Sequence, residues 1–150
     1  MLRGLQVLVS GVVLAALTLA GASVAAAQET AAKPAPVMTL EGDAAVVTIL
    51  IKPDKTADFE AVLAKYKESL EKSDNAARKQ QLAGMKFFKA QQAAPQGAVY
   101  IIYVDPVVKG EEYDITRVVA EVFPVEVQEV FQKYKDAFAG RAVSVLNRVP

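Results

Sequence analysis

Residues 98–105 read Ala-Val-Tyr-Ile-Ile-Tyr-Val-Asp, a β-branched and aromatic run opened by a Pro-Gln-Gly turn and closed by Asp105-Pro106. Such a run is a strand. Side chains alternate across a strand, so Val99, Ile101 and Tyr103 share one face and Tyr100, Ile102 and Val104 the other. Neither set is charged, and both faces of the sheet need cover at this position. Residues 44–52, Ala-Ala-Val-Val-Thr-Ile-Leu-Ile-Lys, repeat the pattern, with Val47, Ile49 and Ile51 opposed to Val46, Thr48 and Leu50. A sheet with two such strands at its centre must find a layer for each of its faces.

The segments between them supply one layer. Phe59, Val62, Leu63, Tyr66 and Leu70 recur at helical spacing after Thr56, a residue suited to the N-cap, with Asp58 at the positive end of the helix dipole. Ser73-Asp74-Asn75 breaks this helix and caps a short one over 76–82, which Gly84 stops. Residues 85–91 form a shorter, more polar strand of the kind found at an edge. The turn Ala94-Pro95-Gln96-Gly97, with Pro second and Gly fourth, joins it to 98–105 as a hairpin. Beyond the loop 106–112, Ile115, Val118, Val119, Val122 and Phe123 form a second helical stripe behind Asp114. Pro124 ends that segment and opens the next, where Val127, Val130, Phe131, Tyr134 and Phe138 continue the apolar face up to Gly140. Residues 142–149 make a last strand.

The chain is divided accordingly. Residues 1–27 read as a secretory signal peptide: Arg3 in the n-region, an apolar stretch from Leu5 to Leu19, and the small-residue site Ala25-Ala26-Ala27 before Gln28. Residues 28–41 are a flexible tether rich in small residues and proline, and 42–150 the folded domain. The expected location is periplasmic or secreted, with no membrane span once the signal is cut.

Absences narrow the chemistry. The chain of 150 residues contains no His, Cys or Trp. That removes Ser-His-Asp and Cys nucleophile chemistry, imidazole haem ligation, His or thiolate metal sites and disulfides. No cofactor or metal is expected. With 17 basic and 17 acidic residues there is no basic surplus for nucleic acid.

The order strand, helix, strand, strand, helix, strand predicts an α+β domain of the ferredoxin-like βαββαβ type: an antiparallel four-stranded sheet with both helices on one face. The other face is left apolar, which a soluble monomer rarely tolerates, so a homodimer through the sheet face is expected. Three stretches, Ile-Lys-Pro-Asp-Lys-Thr-Ala-Asp-Phe-Glu (51–60), Arg-Lys-Gln-Gln-Leu-Ala-Gly-Met-Lys-Phe (78–87) and Val-Asp-Pro-Val-Val-Lys-Gly-Glu-Glu-Tyr-Asp (104–114), resemble those of exported bacterial proteins similar to the dimeric α/β-barrel superfamily, with its antibiotic-biosynthesis-monooxygenase-like domains. The resemblance implies the dimeric barrel and a range of activities. Its haem-handling branches rely on a His that this chain lacks.

A cleft between helices and sheet is where a ligand would sit. Tyr66, Tyr103, Phe123, Phe131 and Tyr134 are the candidate pocket residues, suited to a small apolar or aromatic ligand held by phenolic hydroxyls. Arg78, Lys79, Lys86 and Lys89 form a loose basic cluster, and Glu111, Glu112 and Asp114 an acidic loop without metal-loop spacing. The reading is a ligand-binding domain rather than an enzyme. Its alternatives are a cofactor-independent monooxygenase on an aromatic or quinol substrate, which needs a base of lowered pKa, and a structural or partner-binding envelope protein without a pocket. N-terminal sequencing of the exported protein is expected to read Gln-Glu-Thr; retention of Met1 would point to an anchor.

Overall fold

The computed structural model describes residues 34–150; the expected signal peptide and the first part of the tether lie outside them. The strands are β1 (Ala44–Ile51), β2 (Met85–Lys89), β3 (Ala98–Val104) and β4 (Phe138–Leu146). The helices are α1 (Thr56–Lys72), α2 (Ala76–Gly84), α3 (Ile115–Val122) and α4 (Val127–Ala137), with a 3-10 turn at Pro53–Lys55 leading into α1. All strand pairs are antiparallel, in the order β2-β3-β1-β4. This α+β arrangement, an open four-stranded sheet with helices, is consistent with a ferredoxin-like class. Among the described residues no helix is long and apolar enough to cross a membrane.

The doubly apolar strands are neighbours at the centre, as their sequences require, with Val47 opposite Ile102 and Ile49 opposite Tyr100. The structure also decides their faces. Val47, Ile49, Ile51, Tyr100, Ile102 and Val104 are buried with Phe59, Val62, Tyr66 and Leu70 of α1 and Val118 and Val119 of α3. Val46, Thr48, Leu50, Val99, Ile101 and Tyr103 face the other way and are only half-buried. Gly97 closes the β2–β3 hairpin: its backbone N–H bonds the Ala94 carbonyl at 3.0 Å, and at φ +145° a Cβ would collide with the Ile51 carbonyl oxygen. No other residue fits there.

Four expectations need correction. First, the tether is not free over its last residues: Leu40 is buried, the Val37 and Met38 amides bond Glu112, and the Tyr113 amide bonds the Met38 carbonyl at 2.8 Å. Second, α4 ends at Ala137, and Phe138 opens β4 opposite Ile51 instead of prolonging the helix. Gly140 therefore lies inside a strand. Third, Phe131 is 44% exposed, because the buried line of α4 runs through Val130 and Ala137. Fourth, Arg78 is no part of a surface cluster. It is fully buried, bonding both Glu121 carboxylate oxygens at 2.8 and 2.6 Å, Gln81 Oε1 at 2.7 Å and the Glu112 carbonyl at 2.9 Å.

The guanidinium's fork matches that set of acceptors, and an ammonium would not. Arg78→Ala should therefore lower stability by about 3 kcal/mol, since it strips several buried acceptors of their donor at once. Arg78→Lys should recover little of that loss. Urea unfolding followed by circular dichroism measures both, and wild-type stability in either variant would contradict the assignment.

Candidate functional site

A small cavity lies between the helices and the covered face of the sheet, against Tyr66, Tyr113, Tyr134, Met38, Leu40 and Arg141. Its volume is about 20 Å³, room for one water molecule. Tyr66 reaches it from the buried stripe of α1 and donates to the Tyr113 carbonyl at 3.3 Å. The Tyr113 hydroxyl accepts the Val108 amide at 2.8 Å. Tyr134 stacks on Phe59 with ring centroids 5.8 Å apart.

Tyr134 and Arg141 also line a second, outer space. This is a hollow of about 240 Å³ between the C-terminal half of α4 and the start of β4, completed by Phe131, Lys135 and Phe138. Phe138 stands edge-on to Tyr134 at 5.6 Å. Its position depends on an irregularity in β4. Ile49 pairs with Arg141 and Ile51 with Phe138, and the register shifts between Leu50 and Ile51, leaving Ala139 as the extra residue of a β-bulge. In a regular strand residues an odd number apart face opposite ways. The bulge instead brings Phe138 and Arg141 to the same side, the side of Ile49 and Ile51.

A strap closes the inner cavity. Glu112, 5% exposed, accepts the Val37 amide at 2.6 Å and the Met38 and Asp114 amides at 2.9 Å. Met38 and Leu40 are thereby laid along the cavity, and Arg141 Nη1 meets Met38 Sδ at 3.3 Å. The rest of the acidic loop is likewise occupied. Asp114 caps α3 by accepting the Thr116 and Arg117 amides, and Glu111 pairs with Arg78 at 3.3 Å. Among the described residues no acidic group is arranged to hold a metal ion.

Of the five residues expected around a pocket, the structure brings Tyr66 and Tyr134 to the inner cavity and Phe131 and Tyr134 to the outer hollow. Tyr103 lies on the opposite face of the sheet, its hydroxyl donating to Asp105 at 2.9 Å. Phe123 sits apart under Lys65, whose ammonium is 4.1 Å from the ring centroid. Sequence reasoning missed Met38, Tyr113, Phe138 and Arg141. Arg141 carried a signal, as the only charged residue in the stretch 137–147.

Burial raises the pKa of Tyr66, Tyr113 and Tyr134 above the ordinary phenol value. No protein-family model matches the chain, and neither a curated protein nor a solved structure is significantly similar to it.

Glu112 sets a pH dependence for the strap. Burial alone would raise its pKa, but the amides of Val37, Asp114 and Met38 outweigh it and hold the carboxyl below its ordinary value of 4.5. A carboxyl with a lowered folded pKa contributes stability above its unfolded pKa and loses it as the pH falls through the folded one. The Val37 and Met38 amide resonances should therefore stay fixed from neutral pH down to about 4.5 and move together only below it. A common midpoint at or above 4.5, read by nuclear magnetic resonance, would refute the anchor.

Proposed function

We propose that the protein is an exported, non-catalytic binding domain for a small apolar or aromatic ligand, working as a homodimer of the dimeric α/β-barrel type. The observation that carries the reading is the placement of Phe131, Tyr134 and Phe138 around an open hollow beside the inner cavity. Aromatic side chains left exposed around a concavity provide ring faces for a flat ligand. A monooxygenase reading would need a base with a lowered pKa, whereas burial raises those of the three phenols at the cavity.

The second half of the reading rests on the uncovered sheet face. Val46, Leu50, Val99, Ile101 and Tyr103 are half-buried there, Phe88 is 54% exposed and Leu146 41%. A patch of this kind marks an interaction surface, and a second copy across a two-fold axis covers it with its own equivalent. Burial of about 1,600 Å² in total is the standard size for a stable pair.

Mature protein purified from its own envelope fraction is the material for the test. Mass spectrometry of its organic extract should find one enriched small aromatic compound, lost from Phe131→Ala protein. Light scattering at micromolar concentration should give a dimer. Leu50→Lys, on the open face, should yield a folded monomer, whereas Ile49→Lys, under the helices, should unfold. A folded wild-type monomer would overturn the dimer; an extract identical to that of Phe131→Ala would overturn the ligand.

A further inference from the structure

Charge at the outer hollow is one-sided. Arg141 and Lys135 both line it, and no acidic side chain does. Among the described residues neither forms an ion pair, and the side-chain contacts of Arg141 are with neutral groups, Met38 Sδ and the Tyr134 hydroxyl. Nearby acids are engaged elsewhere: Asp136 accepts from Gln132 at 2.9 Å, and Glu129 pairs with Lys133 at 2.7 Å. This contrasts with Arg78, each of whose guanidinium nitrogens bonds a protein acceptor. Arg141 is itself exposed and shares the hollow with two exposed rings, Phe131 at 44% and Phe138 at 37%.

We propose that this hollow binds a single-ring aromatic carboxylate, the ring against Phe131 and Phe138 and the carboxylate on the Arg141 guanidinium, with Lys135 as a second cation. The inference rests on the aromatic-ligand reading above and names the ligand class. Each part has its own ground. A planar carboxylate is the anion whose two oxygens match the guanidinium fork in one plane. Rings offered on their faces and edges favour an aromatic over an aliphatic body. The volume of about 240 Å³ is below the range of about 300–1,000 Å³ typical of drug-sized ligands, which limits the guest to one ring. The bulge at Ala139 is what lets an aromatic residue and a cation three positions apart serve the same guest.

Calorimetric titration of the mature chain with benzoate, benzyl alcohol and cyclohexanecarboxylate tests each part. Benzoate should bind saturably and at least about tenfold more tightly than either analogue, the difference expected for one charge-assisted pair or one good stacking contact. Arg141→Gln should shrink the preference for benzoate over benzyl alcohol to within about twofold, and Arg141→Lys should restore only part of it. The side chain of Arg141 is exposed, so both variants should keep the wild-type far-ultraviolet spectrum. Amide shifts on benzoate addition should centre on Phe131, Phe138 and Arg141. Equal binding of benzoate and benzyl alcohol would overturn the carboxylate and leave the aromatic reading standing. Equal binding of cyclohexanecarboxylate and benzoate would overturn the ring requirement. No binding of any of the three would overturn both readings.

Discussion

Burying Arg78 is expensive unless acceptors meet its guanidinium, and the domain is arranged so that each of its three nitrogens has one. Its partners come from three places: Gln81 on the same helix, Glu121 on α3, and the backbone of the loop that ends in Asp114. Gln81 adds a second bond to the same Glu112 carbonyl at 3.0 Å. The loop so fixed does several jobs. Its next residue, Tyr113, walls the inner cavity; the Glu112 carboxylate grips the strap; Asp114 starts α3. One guanidinium thus aligns α2 with α3 and, through Glu112, sets where the chain enters the domain.

The helices cover their side of the sheet unevenly, and the hollow lies where that cover ends. Helices cover the centre, where Val47, Ile49, Ile102 and Val104 are buried. They do not extend over β4, all of which is exposed except Gly140. Val143 and Val145 pair with Val47 and Ala45 and so face the helix side, yet they remain 43% and 49% exposed. The step from covered β1 to uncovered β4 makes the concavity into which α4 presents Phe131 and Tyr134. A ligand there would complete a layer that the helices leave unfinished.

Much of this was legible in the residues. The stripe Phe59-Val62-Leu63-Tyr66-Leu70 is buried throughout, because five positions at helical spacing leave a single phase for the helix. The central pair of strands followed from their length and double apolarity. Their faces did not, since two apolar faces carry no difference for alternation to report. On α4 the adjacent apolar residues Val130 and Phe131 both fit a stripe, and only packing shows that Val130 is inside. Arg78 read as a solvated charge because its main partner, Glu121, lies 43 positions away in the chain. The hollow was illegible for a related reason. With Phe138 assigned to a helix, neither the bulge nor its pairing with Arg141 had a place to occur.

The bulge at Ala139 also links the two surfaces of the sheet to each other. Hydrophobic pattern alone specifies the register of β4 weakly, for its valines, alanines and leucine suit either side. A slip by one residue would exchange the sides and carry Arg141 onto the face proposed to meet a second copy. There the guanidinium and its symmetry mate would be pressed into an apolar contact with nothing to neutralise them, a penalty of several kcal/mol per ion. Assembly through that face would therefore select the register that also builds the hollow. Quaternary structure would act as a proofreader of the edge strand, rejecting chains whose binding site had been threaded wrongly.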